Sequence, residues 1–171
     1  MLSCNNLLMN PGGEAGVLSP WVVGGNSKPR LDMGTFNSGL NPRTGLYQFS
    51  GHTGSLGTLT QTIVIVGANP SITTSQIDTG NLTVGLLFWS RGLPQDMNDG
   101  TAVVLYFLDA FNGTLSNATS LEVTAGSNWT SYSNSYLIPI GTRSIQYQMR
   151  FILHSGSDID SYIDDNFMTI Y

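Results

Sequence analysis

Two adjacent carboxylates, Asp164 and Asp165, stand inside an otherwise apolar run, Ser161-Tyr162-Ile163-Asp164-Asp165-Asn166-Phe167-Met168-Thr169-Ile170. In a strand, neighbouring side chains point to opposite faces, so one of the two acids faces something buried. A buried carboxylate needs a cation or several donors, because an unpaired one is strongly destabilising. At the other end of the chain, Asn6-Leu7-Leu8-Met9-Asn10-Pro11-Gly12-Gly13-Glu14 breaks a short apolar run with Asn-Pro-Gly-Gly and then presents Glu14. Carbonyls bent outward beside a carboxylate suit a hard cation. The expectation is that the two ends meet. A metal-free arrangement stays open beside it, in which backbone N–H groups and Arg30 donate to Asp165.

Catalytic chemistry finds little support. The chain has no Gly-X-Ser-X-Gly elbow, no Cys-His arrangement in a known context and no His-Glu-X-X-His run. A glycosidase needs two carboxylates across a cleft, and adjacent strand residues diverge. Asp96 and Asp99 read as loop acids, and His52 and His154 are isolated in the sequence. The chain is expected not to be an enzyme.

The elements that must position these residues are strands. Of the 171 residues only 10% are charged, and 20 are glycine. With many Ser, Thr and Asn between short apolar runs, this is the composition of strands and turns. The size suits one domain, residues 1–171. Six basic against eleven acidic side chains, without a basic cluster, argue against nucleic acid. No apolar run approaches a membrane span, so no membrane insertion is expected. The single cysteine, Cys4, excludes an internal disulfide.

Alternation predicts strands at residues 7–9, 21–23, 45–51, 59–66, 82–91, 102–109, 115–123, 129–139, 144–154 and 161–170. A short helical turn fits 70–77, and Asn112-Gly113 makes a hairpin turn. Residues 24–45, rich in Gly, Asn and Pro, are too long for an ordinary turn. The pattern is all-β, an antiparallel β-sandwich.

Seven pieces in order resemble one group: Asn6 to Glu14, Trp21, Gly45-Leu46-Tyr47, Leu59-Thr60-Gln61, Leu87-Phe88-Trp89-Ser90-Arg91, Pro139-Ile140-Gly141-Thr142-Arg143, and Ile163-Asp164-Asp165-Asn166. Together they look like the galactose-binding-like jelly-roll domains, and within them like carbohydrate-binding modules of bacterial glycanases. The resemblance implies a structural Ca²⁺ joining the N-terminal turn to the C-terminal strand, with Glu14 and Asp165 as side-chain ligands and the Gly12 carbonyl and Asp164 beside them. The family often has an aromatic residue before the Glu; here it is Gly13.

In this group glycans bind on a sheet face or in edge loops. A sugar site combines an aromatic plane with planar polar groups. The strand faces opposite the inferred core supply Trp89 and Arg91, Tyr106, and Gln148 and Arg150 with Gln146; the loops supply His52 and the 28–41 passage. Against that, Trp89 and Arg91 can simply stack on each other, Trp21 and Trp129 suit a core, and Arg150 suits a salt bridge. The implied function is a free-standing lectin or adhesin binding a glycan or glycoprotein, extracellular or at a cell surface, with a homo-oligomer compensating weak single-site affinity. The competing class is a protein-interaction or structural jelly roll, such as a viral or spore coat, fibre or adaptor component.

Overall fold

Each alternating run buries one face, and the buried faces close on each other. The computed structural model describes residues 5–68, 72–94, 98–124 and 126–171; Cys4, Pro70 and Asp96 lie outside them. In chain order the elements are β1 (Val22–Gly25), β2 (Arg30–Asp32), β3 (Gln48–Ser50), β4 (Leu56–Val64), α1 (Thr74–Ile77), β5 (Thr83–Gly92), β6 (Gly100–Leu108), β7 (Thr114–Thr119), β8 (Thr130–Leu137), β9 (Ser144–Ile152) and β10 (Ser161–Ile170). They form two five-stranded antiparallel sheets, ordered β1-β4-β9-β6-β7 and β2-β3-β10-β5-β8.

The core lies between the sheets. Val84, Leu86 and Phe88 of β5 and Ile163, Met168 and Ile170 of β10 face Val103, Leu105 and Phe107 of β6 and Ile145, Tyr147, Met149 and Phe151 of β9. Each such side chain removed from water stabilises the sandwich by about 1.5–3 kcal/mol. The alternate residues of the same strands therefore form the two outer faces.

The predicted strand at 7–9 does not form a ladder. Instead Leu7 N–H donates to the Met168 carbonyl at 2.8 Å. Asn6 donates to the Asn166 carbonyl and accepts from Met168 N–H, while Gln61 of β4 both donates to and accepts from the Met9 backbone. Asn10, at φ 50°, and Pro11 end the segment before a second rung can form. β2 was not expected, because its three residues sit among turn formers. The helical turn is a single turn with a Thr73–Gln76 capping box.

Candidate functional site: a terminal clasp and two outer faces

The chain ends do meet, and a bulge decides how. The β10–β5 register slips between Asp164 and Phe167, and Asp165 takes φ 47°. Two residues then oppose one, and simple alternation is lost. Against the expected divergence, both carboxylates approach residues 43 and 44. Asp164 is fully buried and accepts from Arg43 N–H at 2.9 Å and Thr44 N–H at 3.3 Å, and from Asp165 N–H at 2.7 Å. Asp165 accepts from the Thr44 hydroxyl at 2.7 Å and the Arg43 guanidinium at 2.5 Å. The side-chain donor is Arg43, whereas Arg30 lies 5.0 Å over the Phe36 ring. Glu14 accepts from Leu46 and Tyr47 N–H at 2.8 and 3.0 Å. Residues 43–47 thus hold all three acids named in the sequence. A Cβ built on Gly12 would stand 3.1 Å from Asp164 Oδ1 and 3.7 Å from Asp165 Oδ1, so the N-terminal turn packs directly on the pair.

Burial pushes the Asp164 carboxyl up to about 7, with Asp165 adding to the rise and the three N–H donors opposing it. The Arg43 guanidinium meets only Asp165, while Asp164 and Glu14 accept from backbone N–H groups, and all the groups these acids offer a cation are oxygens. That chemistry fits a hard cation such as Ca²⁺. Among the described residues no three acidic or imidazole side chains close on a single point, so backbone carbonyls such as that of Gly12 would have to complete a coordination shell.

Two residues further along β10 from Asp164, Asn166 fastens the clasp to the core. Its Nδ2 donates to the Pro11 carbonyl at 2.8 Å, and its Oδ1 accepts from the buried Tyr147 hydroxyl at 2.9 Å. Sequence reasoning passed over this residue; an Asn after two acids gives no sign of it.

The sugar-site residues separate onto opposite outer faces. On the first sheet, Thr58, Thr60 and Thr62 of β4 stand beside Arg150, Gln148 and Gln146 of β9, with Ala102, Val104 and Tyr106 of β6 on the other side. Arg150 donates to the Tyr106 hydroxyl at 2.7 Å and to Gln148 Oε1 at 2.9 Å. Gln148 Nε2 donates to Thr60 at 3.3 Å and Gln146 Nε2 to Thr62 at 3.4 Å. Beside this polar row runs an open groove of about 480 Å³, walled by Pro20, Val22, Val23 and Gly24. Tyr106, Gln148 and Arg150 thus lie together on this face.

Trp89 and Arg91 lie on the second sheet, because β5 belongs to it. They do not pair with each other. The Arg43 guanidinium lies 3.8 Å from the Trp89 ring centroid, and the Arg91 guanidinium lies 5.0 Å from that of Trp129. Trp129 is therefore a half-buried outer-face residue and not core, whereas Trp21 is core, 4% exposed, its indole N–H donating to the Asn10 carbonyl. His52 stacks on Phe36 at 5.7 Å between ring centroids and is not among the residues that line the groove. His154 pairs with Glu122, and Asp99 is a buried acceptor for the N–H groups of His154, Ser155 and Asp160.

No protein-family description matches the chain, and no curated protein sequence does. Solved structures do match. The fold is similar to that of a family 61 carbohydrate-binding module, TmCBM61, solved with β-1,4-galactotriose: TM-score 0.60 and 20% identity, over 96% of this chain and 98% of that one. It is similar to a family 16 carbohydrate-binding module, with TM-score 0.65 and 17% identity over 96% and 99% of the two chains. The enzymatically active domain of bacteriophage CBA120 tailspike protein 4 gives TM-score 0.69 and 15% identity over 97% of this chain, which spans only 21% of the tailspike chain. At such identities the likeness establishes the fold alone: a jelly-roll β-sandwich of the kind these carbohydrate-binding modules adopt.

Proposed function

We propose that this chain is a non-catalytic carbohydrate-binding protein, a lectin or adhesin, that holds a glycan in the groove along β1, β4 and β9. The observation that carries the reading is the open groove beside a row of planar polar side chains, Gln146, Gln148 and Arg150, already held in place by Thr60, Thr62 and Tyr106. Prearranged amides and a guanidinium exchange hydrogen bonds with sugar hydroxyls at little ordering cost. Pro20 and Val22 offer the apolar wall, and Tyr106 the aromatic edge. The likeness to carbohydrate-binding modules supports the same class of ligand. No pair of carboxylates faces this groove among its lining residues, so it offers no acid and base for glycoside hydrolysis.

In the same reading Glu14, Asp164, Asp165 and the Gly12 carbonyl hold a structural Ca²⁺. When bound, the ion supplies positive charge to the buried Asp164; the chain itself supplies the fastening, through residues 43–47 and Asn166. Several copies in a homo-oligomer would raise avidity for a multivalent glycan or glycoprotein.

A glycan array tests the recognition reading. Wild type is expected to bind a defined set of glycans, and Gln148→Ala and Arg150→Met each to lower affinity at least about tenfold, with unchanged circular dichroism. Trp89→Ala is not the informative variant for this groove, since Trp89 lies on the other face. Absence of binding to every glycan would sink the reading. It would favour a structural or interaction domain of a larger assembly, a reading that the match to a fifth of a tailspike chain supports.

A further inference from the structure

Among the described residues, the buried side-chain atoms without a hydrogen-bond partner are Arg91 Nε and Nη2, Ser50 Oγ and Gln48 Oε1. All four lie on the outer face of the second sheet, on β5 and β3 either side of β10. Tyr162 of β10 pairs in register with Arg91 of β5 on one side and Ser50 of β3 on the other, and Gln48 lies two residues along β3 from Ser50. Arg91 is 7% exposed, and Ser50 and Gln48 are fully buried. Nε and Nη2 form one edge of the guanidinium, the edge that offers two parallel N–H groups to a pair of oxygens.

The nearby acids do not fill that edge. Asp32 accepts from Gln48 Nε2, from Thr35 Oγ1 and from the N–H groups of Gly34, Thr35 and Phe36. Asp164 is occupied by three backbone N–H groups. Asp160 accepts from Asn37, which also donates to the Tyr162 hydroxyl. Burial pushes the Arg91 guanidinium downward, and the fields of Tyr162, Asp32 and Asp164 oppose that without a direct bond.

We propose that Arg91 is the centre of a second recognition site, on the sheet face opposite the groove, for the paired hydroxyl groups of a neutral carbohydrate. This rests on the reading that the chain binds carbohydrate. Ligand hydroxyls can accept from the Arg91 edge and donate to Gln48 Oε1, with Ser50 taking either role. A carboxylate could use Arg91 but has no proton for Gln48 Oε1, and any oxyanion would enter among Asp32, Asp160 and Asp164. Further along β5 an open depression of about 390 Å³ is lined by Gly85, Leu87, Ser133, Ser135, Phe167 and Thr169, and Trp89 stands between it and Arg91 in the strand. Trp129 stacks over Arg91 and provides an apolar wall.

The test is a titration of ¹⁵N-labelled full chain with neutral β-1,4-linked galactan, xylan and glucan tetrasaccharides, following the Trp129 indole N–H and the Arg91 Nε–H. The Gln148→Ala/Arg150→Met double variant removes the groove on the first sheet. In that variant one of the tetrasaccharides is expected still to shift both signals. Ser50→Ala, which deletes a hydroxyl without a protein partner and so leaves the fold unburdened, is expected to weaken that binding about tenfold. Trp129→Ala should do likewise. If saturation shifts only β4 and β9 signals, the second site is overturned and the groove stands. If only Arg91 and Trp129 respond, the groove reading falls and this one stands. If nothing responds to any tetrasaccharide, both fall. If acetate or phosphate moves the Arg91 signal where the tetrasaccharides do not, the site takes an oxyanion and the assignment to hydroxyls is overturned.

Discussion

Replacing Gly45 by alanine would strike the clasp without replacing an acid. Gly45 has φ +65°, and a Cβ there would lie 2.2 Å from Glu14 Oε2, 2.3 Å from Cδ and 2.5 Å from Oε1. The left-handed backbone alone costs an L-residue about 1–2 kcal/mol. The added carbon also drives the Glu14 carboxylate off Leu46 and Tyr47 N–H, two exposed bonds worth about 1 kcal/mol each. The sum is about 3–4 kcal/mol. Gly39 separates the two contributions: its φ is +87° but a Cβ would meet nothing within 4 Å, so Gly39→Ala carries only the backbone cost. For a chain of this length 1 kcal/mol corresponds to about 2–4 °C in Tm. In EDTA, Gly45→Ala is therefore expected to melt about 10 °C below wild type and Gly39→Ala about 4 °C below. Equal shifts for the two variants would refute the claim that Glu14 is held by the 43–47 segment.

The remaining expectations are shorter. EDTA should lower the melting temperature of wild type, and Asp165→Ala should remove that sensitivity; identical wild-type melts with and without EDTA would exclude the calcium clasp. Burial alone would raise the Asp32 carboxyl, but bonds from the Gln48 side chain and from Phe36, Thr35 and Gly34 N–H hold it below its ordinary value. Its folded pKa is thus below the unfolded one, and its contribution is complete above about pH 4 and lost as pH falls through the lower folded value. Melts between about pH 5 and 2 should fall less steeply for Asp32→Asn than for wild type, and parallel slopes would contradict this. Tyr147→Phe leaves Asn166 Oδ1 without its buried donor and should cost about 1–3 kcal/mol, read as a Tm loss of about 2–12 °C.

What the sequence by itself determined was the strands and the meeting of the ends. Period-2 alternation in 82–91, 102–109 and 144–154 is a local signal, since one buried face repeats every second residue. Asn-Pro-Gly-Gly-Glu and Asp-Asp are likewise local chemistry that demands partners. Only the tertiary structure decided which strands share a sheet. That assignment put Trp89 and Arg91 opposite the face of Tyr106, Gln148 and Arg150, and no property of the isolated strands encodes it. It also decided which cation reaches which acid: Arg43, not Arg30, arrives at Asp165, because a bulge with Asp165 at positive φ turns two neighbouring carboxylates toward one loop. A long side chain has reach but no address in sequence. Its partner follows from where the backbone sets its Cα.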